Sequence, residues 1–142
     1  MKKILVFFVL MVLLLLPVSS LSQGLSTWGI NNSPTSGTQA TISKAANTSF
    51  RHVATCVSFS AAATTAPTAT QLNINLRDGA SGAGTVLHTW VVAAPATVGT
   101  HLLFSQCGFN LAGSVNTAMT VEFSAGLANE FEAVSLSGYD SQ

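Results

Sequence analysis

Three histidines and five carboxylates are the acid–base groups of this 142-residue chain, set among many serine and threonine hydroxyls. His52, His88 and His101 are the general-base candidates, with Asp78, Glu122, Glu130, Glu132 and Asp140 as partners. A histidine oriented by a carboxylate and aimed at a hydroxyl would activate a nucleophile. The elbow that often presents such a serine, G-x-S-x-G, is not complete here: Gly79 to Ala83 reads GASGA, with alanine at the last glycine position. Hydroxyls this numerous match a triad search by accident, so no catalytic residue is expected. His88 and His101 fall on segments that could pair in a sheet, but a two-histidine metal site needs a third donor, and polar-face histidines are the simpler reading. Glu122, Glu130 and Glu132 have the chemistry for calcium or for a glycosidase pair. Two of them flank a loop at Gly126 to Asn129, which reads as a solvated loop edge, so neither metal nor cofactor is expected. Arg77 beside Asp78 reads as a strand-end or turn pair rather than a ligand site.

Binding chemistry has a different inventory. Trp28, Trp90 and Tyr139 could stack on sugar rings while asparagine and glutamine bond the hydroxyls, although Trp90 alternates with Val86, His88 and Val92 and fits a core position better. Trp28 and Ile30 alternate in an otherwise polar stretch and would need cover from their own domain or from a neighbouring subunit. Asn31 and Asn47 stand in N-x-S frames, which matter only in a glycosylating host.

The N-terminus decides where this chemistry would operate. Lys2 and Lys3, the apolar run Ile4 to Leu16, and Pro17 followed by small residues at Ser20 and Ser22 predict a signal peptide over residues 1–22. The run is short for a membrane span, which takes about 20 apolar residues. A secreted, extracellular or periplasmic protein follows, with no membrane association after cleavage. The segment also supplies much of the chain's positive mean hydropathy. What remains carries Lys44, Arg51 and Arg77 against the five carboxylates, too little positive charge for a nucleic-acid track or a polybasic membrane contact. Cys56 and Cys107 are free to pair in an oxidising compartment, which would add about 4 kcal/mol on the loop-entropy account; two buried thiols are the alternative.

These groups sit on strand-length segments of period-2 alternation separated by turn formers. Residues 23–38 are rich in Ser, Asn, Gly and Thr and read as an extended N-terminal arm. Residues 39–142 then hold a weak strand at Gln39 to Ser43 and a strand in which Val53, Thr55, Val57 and Phe59 share a face. Leu72 to Arg77 and Val86 to Val92 read as a hairpin across a Gly-rich loop. Further strands follow at Leu102 to Cys107, Phe109 to Leu111, Met119 to Ser124 and Val134 to Ser137. No segment keeps a helical period for three turns, the Ala61 to Ala66 run coming nearest. Seven or eight short strands predict an all-β antiparallel β-sandwich of jelly-roll type, with an immunoglobulin-like sandwich as runner-up.

The stretches NLRDGASGAGTVLHTW, NTAMTVEFSAG and FEAVSLSGYD, within about residues 73–140, resemble small uncharacterised all-β modules of bacterial and tailed-phage origin. The resemblance implies a module displayed outside the cell or on a virion, and a signal peptide favours the cellular, exported case. The resulting expectation is a non-enzymatic structural or assembly module that self-associates through its N-terminal arm and sheet edges as a homo-oligomer. The alternative is a module binding a glycan or a cell-surface partner, including a phage virion or fibre-associated adhesion domain. Trp28, Ile30, Trp90 and Tyr139 are the candidate ligand or interface residues, and Cys56 and Cys107 the candidate disulfide.

Overall fold

The computed structural model describes residues 26–65, 70–126 and 129–142, so the signal-peptide expectation for residues 1–22 lies outside the described residues. Eight strands follow in order: β1 (Ser26–Asn32), β2 (Thr41–Lys44), β3 (Arg51–Ala63), β4 (Gln71–Asp78), β5 (Thr85–Ala93), β6 (His101–Ala112), β7 (Met119–Phe123) and β8 (Glu130–Ser141). They form two four-stranded sheets, β1-β8-β3-β6 and β2-β7-β4-β5, in which every pairing is antiparallel. The molecule is an all-β sandwich.

Local pattern explains most elements. In β4, Leu72, Ile74 and Leu76 are buried while Asn73 and Asn75 are half-buried, as a pleated strand with one core face requires. β3 continues through Ala61 to Ala63, the start of the run nearest to a helix. Pairing with β6 on one side and β8 on the other holds those alanines extended, so sheet formation overrides alanine's helix preference. The two short strands expected over residues 102–111 are one strand, β6, because Gly108 adopts φ 85° and lets the chain bulge without breaking.

Strict alternation also fails once inside β3. A register shift between Ala54 and Cys56 puts Ala54 and His52 on the same buried side as Val57 and Phe59. The expectation that Val53, Thr55, Val57 and Phe59 share one face is thus corrected at the bulge, which inverts the facing of everything before it.

Residues 26–32, within the stretch read as an arm, form β1. This strand pairs with β8 from Ser26↔Asp140 to Asn32↔Val134 and closes one edge of its own sheet. Trp28 and Ile30 pack against the core from there.

Between the sheets Phe59 is the hub. Its ring stacks on Phe104 at 4.5 Å and meets Phe123 edge-on at 6.2 Å, with Ile74, Leu76, Met119, Val121 and Leu136 sealed around them. Cys56 and Cys107 lie directly opposite each other in β3 and β6 and are joined by a disulfide 51 positions apart in sequence. Loop closure of that length stabilises the fold by about 4 kcal/mol on the chain-entropy account.

One glycine in this framework has no substitute. A Cβ at Gly138 would lie 2.0 Å from the Val53 carbonyl oxygen and 2.9 Å from the Trp28 ring, so at this position β8 has no room for a side chain between β1 and β3. Gly138→Ala is expected to destabilise the protein by about 1–3 kcal/mol, read from urea unfolding midpoints; an unchanged midpoint would contradict this close approach.

Candidate functional site

The bulge in β3 brings together the first of the predicted acid–base groups. His52 is fully buried, with Nδ1 2.7 Å from Asp140 Oδ1 and Nε2 2.8 Å from the Ala45 carbonyl oxygen. A carbonyl only accepts, so Nε2 carries a proton and donates it there. The nitrogen that a catalytic histidine turns toward its nucleophile is therefore committed to the backbone. Trp28 meets the imidazole edge-on at 5.8 Å, and the Asn47 side-chain amide donates to Asp140 Oδ2 at 3.1 Å. Burial pushes the Asp140 carboxyl up, but the hydrogen bonds from His52 and Asn47 and the charges of His52 and Lys44 together hold it below its usual range. The pair is a bolt between β3, β8 and the residues leading into β3.

A second carboxylate network fastens the Gly-rich turn. Leu76 and Val121 pair on the core side, so Thr120 and Glu122 point to the other face of the sheet, yet both are buried. The β4–β5 loop covers them: Glu122 accepts from the Arg77 guanidinium, from Ser81 Oγ and from the Gly82 backbone N–H, while Thr120 donates to the Gly79 carbonyl at 2.7 Å. Burial raises the Glu122 carboxyl, and the bonds from Ser81, Arg77 and Gly82, with the Arg77 charge, outweigh it and lower the pKa. Asp78 accepts from Ser114 N at 2.9 Å and Ser114 Oγ at 2.6 Å, tying the same end to the β6–β7 connection. Arg77 and Asp78 thus secure a strand end, with Glu122 as the partner that sequence spacing did not name.

Glu130 and Glu132 depart furthest from expectation. Each is only 1 % exposed, so the solvated loop edge is corrected: both lie on the inward face of β8 with Val134 and Leu136. Their cross-strand partners on β3 are Ala63 and Ala61, whose small side chains leave room for carboxylates between the sheets. Glu132 Oε2 accepts from the Ala40 backbone N–H at 2.9 Å. Neither carboxylate oxygen of Glu130 has a hydrogen-bond partner, and burial alone pushes its pKa up.

The remaining singled-out residues are spread apart. Trp90 is buried, and its Nε1–H donates across the sandwich to Gln106 Oε1 at 2.7 Å, so it offers no open platform. Trp28 is half-buried beneath β1, Ile30 packs beside it, and Tyr139 is half-buried on the opposite face of β8 from Asp140. His88 is exposed against the Trp90 ring on β5, and His101 is exposed at the start of β6 in the other sheet. Among the described residues no group of three or more His, Cys, Asp or Glu stands together in a way that could hold a metal ion.

Two surfaces are left. The outer face of the first sheet carries a shallow depression of about 720 Å³ whose lining includes Asn31, Ser58, Ser60, Leu103, Ser105 and Ser135. Beside it runs the flank where β6 and β5 end their respective sheets, each paired on one side only. Across Thr85–Ala93 and His101–Ala112 there is no Lys, Arg, Asp, Glu or Pro. Leu103 is 82 % exposed and Val91 57 % exposed on these two strands. Edge strands in soluble proteins are ordinarily blunted by charge or proline, and these lack both. The signal was present in the sequence as two long strand patterns without charge; the sheet order shows that both are edges, and the Trp90–Gln106 bond that they share one flank.

The carboxylates give the fold opposing pH responses. Asp140 and Glu122, lowered in the folded state, contribute stability that is present above their unfolded values of 3.8 and 4.5 and lost as pH falls through the folded ones. Glu130, raised, contributes stability below 4.5 that is lost as pH rises through its folded value. In chelator-treated buffer, wild-type urea midpoints are expected to fall with rising pH over that window more than those of Glu130→Gln, and superimposable profiles would show that Glu130 does not titrate from a buried position. No family model and no curated protein matches the chain, so the functional reading rests on this geometry.

Proposed function

We propose that this chain is an exported, non-enzymatic structural module that self-associates through its sheet edges, chiefly along the β5–β6 flank. The observation that carries the proposal is the pair of adjacent edge strands, 9 and 12 residues long, without a charged residue or proline. Each presents unpaired backbone N–H and C=O groups that a second copy can satisfy by β-augmentation. The bulge at Gly108 interrupts β6, leaving the regular pairing of Leu102 to Cys107 as the usable stretch. Because β1 is engaged with β8, the N-terminal segment takes part as an edge of its own sheet; β1 itself is uncharged, so the first sheet can be extended from both sides.

Supporting observations agree in direction. The disulfide is compatible with an oxidising compartment, as export by the N-terminal segment would provide. The buried His52–Asp140 pair spends its second ring nitrogen on a carbonyl, which favours a structural role. The chain changes sheet at every connection except β4 to β5, which supports the jelly-roll reading of the sandwich, a fold common in capsid and lectin domains.

Glycan binding is the second reading, favoured by the depression beside Leu103, whose lining mixes hydroxyl and amide groups with apolar ones. A glycan array probed with purified protein is expected to stay silent under the assembly proposal, and specific retention of one sugar class would favour the second reading instead.

The direct test is light scattering across a concentration series. Wild type is expected to form higher oligomers, while the pair Val91→Lys and Leu103→Lys, both at exposed positions, weakens association by at least about tenfold with an unchanged circular dichroism spectrum. A wild-type protein that stays monomeric throughout, or a double variant that assembles like wild type, would overturn the proposal.

A further inference from the structure

We propose that the Cys56–Cys107 disulfide is an exchange site for small thiols, which attack the Sγ of Cys107 from the open side of β6. Along β3 the side chains of Val57, Phe59 and Ala61 are buried in the core, while Cys56, Ser58 and Ser60 alternate with them on the outer face. Cys107 shares that outer face with Leu103 and Ser105 on β6. The bond therefore joins two strands of one sheet and does not cross the sandwich. Cys107 is exposed and Cys56 is half-buried. Burial ordinarily shields a structural disulfide from external thiols, and exposed disulfides are the ones open to exchange.

Register decides which sulfur is reached. Cys56 and Cys107 are directly opposite each other, so the sulfur–sulfur bond runs across from β3 to β6, and a thiolate must approach along its extension, behind the sulfur it attacks. Beyond Cys107 that line leaves the sheet, because β6 has no further strand beside it. The next residue is Gly108, where even an added Cβ would meet nothing within 4 Å, and Phe109 packs against the core. Beyond Cys56 the line runs over the sheet instead, across Ser137 on β8 and then Gly29 on β1. β6 carries no Lys, Arg, Asp or Glu, so no charge on the strand repels an incoming thiolate. In the exchange the external sulfur bonds to Cys107 Sγ, the Cys56–Cys107 bond breaks, and its electron pair leaves on Cys56, whose thiolate takes a proton from water. One disulfide replaces another, so no oxidant or reductant is consumed in this step.

Reduced glutathione is the probe, added to native protein diluted until light scattering shows single chains. Dilution matters because a copy docked along β6 would cover the approach; the exchange itself does not rest on the assembly reading. Samples are acid-quenched at successive times, alkylated with N-ethylmaleimide and mapped by peptide mass. The expected first product carries glutathione on Cys107 and maleimide on Cys56, with at least about a tenfold preference over the reverse. It is expected to form at no less than about a hundredth of the rate in urea-unfolded protein, and the preference is expected to vanish in urea, since the sheet sets it. First adducts on Cys56, or on both cysteines equally, would overturn the proposal. A native rate below that bound would do the same, because the bond would then open only after the strands separate. A preference for Cys107 that persists in urea would also overturn it, by tracing the selectivity to local sequence.

Discussion

The pairing of β3 with β8 on one side and β6 on the other is the constraint on which the rest of the molecule depends. It runs the full length of β3, from Arg51↔Ser141 to Ala63↔Glu130, and presents Phe59 to the centre of the core. A slip of one residue would exchange the faces of the strand, sending Phe59 outward and the serines inward. The single bulge between Ala54 and Cys56 uses that exchange locally: it turns His52 inward to Asp140 while Cys56 remains opposite Cys107. Position along one strand thus sets the location of the hydrophobic hub, the ionic bolt, the disulfide and the space beside the two buried glutamates.

Charge is rare in this chain, and four of its five carboxylates are used inside. Glu122, Glu130, Glu132 and Asp140 are all buried, leaving a surface made largely of hydroxyl, amide and small apolar groups. Such a surface exerts little long-range repulsion between copies, so any contact between molecules would be governed by backbone hydrogen bonding and shape. The same economy explains why the Gly-rich turn is ordered: Glu122 and Thr120 draw it down onto the sheet, where otherwise a loop of glycine, alanine and serine would have few contacts.

Clean alternation was legible in the sequence, and β4 follows its pattern because it has one core face; β5 departs from it at the register shift opposite Leu76 and Arg77, where Leu87 rather than Val86 packs inward, and β7 is buried on both faces. The disulfide was open as one of two alternatives and needed the β3–β6 register to decide it. What could not be read was the placement of the carboxylates. Glu122 and Arg77 are 45 positions apart and His52 and Asp140 are 88 apart, so neither pairing leaves a local trace. Glu130 and Glu132 resembled a polar loop margin because glutamate normally marks solvent; only the opposing Ala61 and Ala63 disclose that their face is interior. β1 was ambiguous for a related reason, since its cover, Gly138 on β8, lies more than a hundred residues downstream.

The cross-strand disulfide has a mechanical consequence. Cys107 lies on the outermost strand of the first sheet and Cys56 on the strand inside it, so the covalent bond makes an edge and an interior strand a single unit. Tension applied along β6 is transmitted through sulfur to β3 and from there to the hydrogen bonds with β8, instead of unzipping the rim one residue at a time. A sheet reinforced in this way resists peeling at the border where strands are usually weakest, and it can bear load there without losing its shape.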